Sequence, residues 1–286
     1  MNEKSQKSSV ELRLGKTPSI ETAGLPSADN KPGDTYVQSF ARGLEVIRSF
    51  TAQSPAQTLS EVAAKTGLTR AGARRILLTL QTLGYVDCPD GKHFALTPRI
   101  LDLGFAYLSS QPLWNLAMPV METLSETVQE SCSAGVLDGL DVVYVVRVHA
   151  HKIMSTNLGV GSRLPAFWTS MGRMLLAGLP QEQLHALLQR CPREAFTRYT
   201  LARDEDLLAA IDQVRQQGWA LINQELEEGL ISVAAPLFNA QGQIVGAVNV
   251  SGQANRTNAQ AIQQQIVPHL QSAAQSISQL LRTARR

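Results

Sequence analysis

From Tyr36 onward, apolar residues recur at helical spacing: Phe40, Leu44, Ile47 and Phe50. Ser54-Pro55 ends that run, because proline cannot continue a helical hydrogen-bond ladder. Ser60, a capping residue type followed by Glu61, predicts the start of a second helix, which runs to Thr66 and stops at Gly67. Thr69 predicts the cap of a third helix reaching Leu83. At about 100° per residue, Ala73, Ile76, Leu80 and Leu83 share one side of that helix. Arg70, Arg74 and Leu78 fall on the other side, with Arg75 on the flank. Gly72 lies near the apolar side. It marks either a close crossing with the preceding helix or a tolerated loss of about 1 kcal/mol.

Two helices joined by a tight turn, the second with arginines on its outer face, is the geometry that enters a DNA major groove. Tyr85-Val-Asp-Cys88 and His93-Phe-Ala-Leu96 flank Asp90-Gly91, a strong hairpin signal. A hairpin placed there is a wing, and Lys92 at its tip is either a phosphate contact or a solvated turn residue. Thr97-Pro98 opens a further helix with Ile100, Leu101, Leu103, Phe105, Tyr107 and Leu108, apolar most of the way round. Such a helix is buried on more than one side, between domains or between subunits. It ends near Gln111-Pro112.

The pattern then becomes mixed. Helices are expected over residues 113–128, 169–177, 181–189 and 204–217, with one long terminal helix over 258–283. Strands are expected over residues 133–138, 142–148, 152–158, 219–222, 231–238 and 244–250. This is an α+β chain with a mostly antiparallel sheet. Its expected divisions are a disordered tail (1–35), a winged helix-turn-helix (36–97), a linker helix (98–112) and a second domain (113–286).

Charge sharpens the DNA reading. The net charge over 286 residues is only +2. Residues 36–97, however, hold seven Lys/Arg against four Asp/Glu, whereas residues 98–286 hold fourteen against fifteen. The excess lies where phosphates would meet it. The balanced charge of the tail favours a plain tail over a DNA-touching arm. No apolar run reaches the ~18 residues of a membrane helix, and the polar start, Met1-Asn-Glu-Lys-Ser-Gln-Lys, has no signal-peptide character. Three isolated cysteines, Cys88, Cys132 and Cys191, suit a reducing compartment, so a cytoplasmic protein without membrane contact is expected.

Enzymatic and metal readings are weak. His149-Ala-His151 is at most half a metal site. Trp168-Thr-Ser-Met-Gly172 lacks the first glycine of a hydrolase elbow. Gly159-Val-Gly161 is too short to be a phosphate fingerprint, and Cys132 reads as a packed thiol rather than a redox sensor. Neither catalysis nor a cofactor is expected. The other two classes are an enzyme with a DNA-binding appendage and a DNA-binding protein without an effector.

Four blocks in order carry a resemblance: Thr69-Arg-Ala-Gly-Ala-Arg-Arg-Ile-Leu-Leu-Thr-Leu80, the segment from Val160 to Ala177, the segment from Gly218 to Pro236, and Gly246-Ala-Val-Asn-Val-Ser-Gly252. From Tyr36 onward the chain resembles the IclR-type transcriptional regulators. The paired Arg74-Arg75, Ser170-Met-Gly-Arg173 and Asn223-Gln-Glu-Leu-Glu227 resemble the branch that controls aromatic-acid catabolism. The resemblance implies a GAF-like effector domain, operator DNA and a small aromatic or dicarboxylic acid as partners, and a homodimer or homotetramer. It implies an effector pocket lined by Ile153, Thr156, Ser170, Met171, Ile222, Leu230, Ser232 and Asn249.

Ser170 and Met171 fall near a helix start, where backbone amides favour an anion. Arg163 is the candidate cation, with a structural ion pair as the alternative role. Glu225, Glu227 and Glu228 are candidates to repel wrong anions or to pair with it. The family usually has arginine where Ile231 stands, so a neutral side chain is expected beside the pocket. On the DNA side, Arg70, Arg74 and Arg75 are the candidate contacts, with Thr69 and Lys92 on phosphates.

Overall fold

The computed structural model describes residues 35–110, 113–150 and 158–283. The first unit opens with α1 (Gln38–Arg48), β1 (Ala56–Thr58), α2 (Leu59–Thr66) and α3 (Arg70–Thr82), and closes with β2 (Val86–Asp87) and β3 (His93–Leu96). Its three-stranded antiparallel sheet has the order β1-β3-β2. The second helix is capped by Thr58 rather than by the expected Ser60. Thr58 Oγ1 accepts from the Glu61 amide at 3.4 Å, and Glu61 Oε2 accepts the Thr58 amide at 2.7 Å. Reciprocal capping of this kind satisfies two otherwise orphaned donors, and these bonds hold the Glu61 carboxyl below its ordinary value.

The buried face of α3 is Ala73, Leu77 and Leu80, packed on Val46, Val62 and Val86. Leu77, absent from the expected face, stands 40° from Ala73 at about 100° per residue; Leu83, expected on it, is the C-cap and is exposed.

A 3-10 turn (Pro98–Ile100) leads into α4 (Leu101–Ser110). None of the residues in α4 is buried; Leu101 and Phe105 are 69% and 68% exposed. Tyr36, Val37 and Phe40, at the start of the described chain, are exposed as well.

The second unit comprises α5 (Leu113–Val128), β4 (Ser131–Asp138), β5 (Asp141–Val148), β6 (Arg163–Pro165), α6 (Ser170–Ala177), α7 (Gln181–Arg190) and α8 (Asp204–Gln217). It continues through β7 (Ala220–Asn223), β8 (Leu230–Phe238), β9 (Ile244–Gln253), α9 (Ala259–Gln265) and α10 (Val267–Thr283). The strands form one antiparallel sheet in the order β6-β5-β4-β9-β8-β7.

The expected single terminal helix is two helices, parted at Ile266. Pro268 has no amide to donate to the carbonyl of residue 264. The strand expected over 152–158 lies outside the described residues save Leu158, as do Ile153 and Thr156.

Each sheet face has its own core. On one side, Val146, Ile231, Val233, Val248 and Val250 pack with Met121, Leu270 and Ile277. On the other, Val142, Tyr144, Ala234 and Ala247 pack with Phe167, Met171, Leu176 and Ile211. Fully burying one such side chain contributes roughly 1.5–3 kcal/mol.

Candidate functional site

On α3, Arg70, Arg74 and Arg75 are all exposed. They form no ion pair among the described residues. Thr69 is the N-cap, and its Oγ1 accepts the Gly72 amide at 3.1 Å. A Cβ at Gly72 would meet only that Oγ1, at 3.2 Å, and no atom of the preceding helix, so no close helix crossing requires the glycine.

The wing is held by Asp90. Its Oδ1 accepts the amides of Lys92 and His93 at 2.9 and 2.7 Å, and its Oδ2 lies 2.6 Å from His93 Nδ1. These donors push the Asp90 carboxyl far below its ordinary value. Gly91 takes φ +70°, which leaves Lys92 exposed at the tip.

The second domain carries a polar strip across the sheet face that also bears Val142 and Tyr144. Cross-strand register aligns Ser133 with both Arg147 and Asn249, Ser251 with Ser232, and Ser232 with Ile222. Arg147 Nη1 donates to Ser133 Oγ at 3.2 Å, Asn249 Oδ1 accepts the Ser133 amide at 3.1 Å, and Asn249 Nδ2 donates to Ser251 Oγ at 3.0 Å. Ser133, Ser232 and Asn249 are buried. Burial lowers the pKa of the Arg147 guanidinium and pushes the Tyr144 hydroxyl up to about 12.

The start of α6 lies over this face. Met171 is buried, and its Cε is 3.4 Å from where a Gly135 Cβ would stand. Thr169 caps α6, its Oγ1 accepting the Gly172 amide at 3.2 Å. Next to it, Ser170 is 1% exposed, and its Oγ has no hydrogen-bond partner among the described residues. An unpaired buried hydroxyl costs about 1–3 kcal/mol, so Ser170 beside a helix start is a candidate partner for a polar ligand atom.

Arg173, one turn further along α6, grips Glu225 with both arms: Nη1 to Oε1 at 2.9 Å and Nη2 to Oε2 at 2.6 Å. It also donates to the Phe167 carbonyl. Thr197 and Thr200 donate to the carbonyls of Gln224 and Glu225, each at 2.7 Å. The β7–β8 loop is thereby pinned to α6. Glu225 is therefore a bracing group, and Glu228 reaches Arg198 at 3.8 Å rather than Arg163.

Two sequence expectations shift. Arg163 takes its alternative role: its guanidinium bonds Asp138 at 2.8 Å and Asp141 at 3.0 Å at the exposed β4–β5 turn. Ile231 is not beside the polar strip; it is buried in the core on the opposite sheet face. The cation on the strip is Arg147, which sequence reasoning missed. Its signal was present as one arginine inside the apolar run Val142-Val-Tyr-Val-Val-Arg-Val148. Met171, Ile222, Ser232 and Asn249 are buried on the sheet face that carries this strip, Leu230 opens β8 on the same side, and Ser170 is buried at the start of α6.

A recognition helix with its wing and a separate domain with a sheltered polar face define a DNA-binding transcriptional regulator. The chain belongs to the IclR family of bacterial transcriptional regulators: the IclR helix-turn-helix domain matches residues 39–87, and the IclR C-terminal domain matches residues 105–279. It is 40% identical to the Pca regulon regulatory protein of Pseudomonas putida over 243 residues, 85% of this chain and 83% of that one.

A crystal structure from Rhodococcus sp. RHA1 is 48% identical, with a TM-score of 0.78 over 86% of this chain and 98% of that one. The inducer-binding domain of the PobR transcription factor from Acinetobacter, solved as a double mutant with 3-hydroxybenzoic acid, is 31% identical. Its TM-score is 0.55 over 59% of this chain and 98% of that one. Among the described residues no helix is long and apolar enough to cross a membrane.

Proposed function

We propose that this regulator controls genes of aromatic-compound catabolism and responds to a small aromatic carboxylic acid bound against the polar strip. The carrying observation is the half-buried Arg147 bonded to the buried Ser133 and Asn249 group on the sheet face that α6 covers, with the buried Ser170 hydroxyl at the start of that helix. A half-buried guanidinium suits a carboxylate. Met171 and Ile222 supply apolar walls, and Ser170 and Ser232 suit a ring hydroxyl. The likeness to the Pca regulator and to the hydroxybenzoate-bound domain supports the same ligand class. Ile153 and Thr156 belong to the proposed lining through the family resemblance.

On the DNA side, Arg70, Arg74 and Arg75 read the operator, with Thr69 and Lys92 at phosphates. Two copies pair through the uncovered apolar surfaces of α4 and the start of α1, in the cytoplasm. The functional division is a DNA-binding unit over 36–97, a linker helix over 98–112 and an effector domain over 113–286.

The test is calorimetric titration with 4-hydroxybenzoate and protocatechuate. Arg147→Ala weakens binding of the responsive acid at least tenfold, whereas Arg163→Ala leaves it within twofold. The reverse order of the two variants would overturn the assignment.

A further inference from the structure

Two residues three apart on a strand ordinarily face opposite ways, because successive side chains alternate. Tyr144 and Arg147 do not. The β4–β5 register slips between Ala134 and Gly135: Ala134 faces Val146, Gly135 faces Tyr144, and Val145 is passed over. Such a bulge adds one residue to one strand only. Val145 and Val146 therefore both pack into the core on the far side of the sheet, and Tyr144 returns to the face of the polar strip. Across the ladder, Tyr144 and Arg147 stand opposite Gly135 and Ser133, two residues and so roughly 7 Å apart along β4. A phenol and a guanidinium are thereby neighbours on one face.

Tyr144 is 4% exposed, and its hydroxyl makes no hydrogen bond among the described residues. Burial pushes that hydroxyl up to about 12, with the Arg147 charge acting against the rise. It is a neutral donor beside a cation, in surroundings where an unpaired polar group is costly. We propose that Tyr144 is a specificity-determining residue of the effector site, its hydroxyl donating to the same ligand carboxylate that Arg147 holds. The proposal rests on the effector reading above. A carboxylate has two oxygens and accepts from both donors at once, and its charge strengthens each bond. Met171 reaches the same stretch of the face, its Cε 3.4 Å from where a Gly135 Cβ would stand, and offers the ring an apolar contact.

The probes are 4-hydroxybenzoate and benzoate, titrated calorimetrically into the full chain. Tyr144→Phe keeps the ring and removes only the hydroxyl. The expected result is about a tenfold loss of affinity, equal for the two acids, since benzoate has no ring hydroxyl to lose. In an Arg147→Ala background the same substitution costs less than twofold, because the carboxylate is no longer held there. Without ligand, Tyr144→Phe melts at or above the parent temperature, as removal of an unpaired hydroxyl requires. A lower Tm would show the hydroxyl bonded within the protein and overturn the proposal. So would parent affinity for both acids, a loss confined to 4-hydroxybenzoate, or an equal loss in both backgrounds. A failure of the effector reading shows separately, as parent 4-hydroxybenzoate affinity in Arg147→Ala; a parent chain that binds neither acid overturns both readings.

Discussion

Replacing Glu225 with alanine removes one half of the most deeply buried ion pair among the described residues. The Arg173 side chain is 3% exposed and that of Glu225 11% exposed. Without the carboxylate, Arg173 keeps only the Phe167 carbonyl as acceptor. Breaking a buried pair from one side costs about 3–5 kcal/mol, because the remaining charge is left uncompensated. For a chain of this size, roughly 2–4 °C of Tm is lost per kcal/mol, so the expected fall is about 6–20 °C.

Glu225→Gln keeps an acceptor oxygen and falls less. Arg173→Met with Glu225→Leu removes both charges and recovers most of the loss, since apolar replacement of a buried pair is often neutral. Asp138→Ala is the control, because it unpairs an exposed carboxylate from Arg163 and costs at most about 1 kcal/mol. Thermal unfolding followed by circular dichroism reads all four. If Glu225→Ala melts within about 2 °C of the parent, on the scale of ~2–4 °C per kcal/mol, the bracing role assigned to this pair is wrong.

Arg74→Ala lowers operator affinity in a gel shift at fixed salt, by about 1–3 kcal/mol if it reads a base, and leaves acid binding intact; unchanged operator affinity refutes the assignment. Gly172→Ala abolishes soluble expression or lowers Tm sharply, because its Cβ would stand 2.3 Å from both the Ala166 Cα and carbonyl oxygen; a Tm equal to the parent's contradicts that packing. Burial pushes the Cys132 thiol up to about 12 from an ordinary 9.0, so the unfolded chain deprotonates first as pH rises. Its contribution is full below pH ~9 and is lost between ~9 and ~12. Cys132→Ala therefore flattens the alkaline fall of urea stability, and an unchanged slope above pH ~9 counts against it.

The elements read well from sequence wherever apolar spacing and local capping agree, as at α3, α8 and the β8–β9 hairpin. Errors arose where a distant partner decides. Strand β1 is three residues long and exists because Gln57 faces Phe94 across the sheet. Its last residue, Thr58, then displaces Ser60 as the cap. The choice between Arg163 and Arg147 depended on which sheet face each reaches, and a register shift at Ala134/Gly135 alters that alternation. Ile231 posed the same problem: its neighbours on β8 were legible, but not which side of the sheet carried the polar strip. The recognition-helix arginines needed no such information, because one helical wheel separates them from the core.

The pairing proposed through the uncovered α4 would make concentration a variable of stability. A helix whose apolar surface is satisfied only in a pair obeys mass action: each tenfold dilution lowers the apparent stability of the pair by about 1.4 kcal/mol. Melting temperatures of this protein should then be compared only at one protomer concentration, and its copy number in the cell would set the fraction able to hold an operator before any acid is bound.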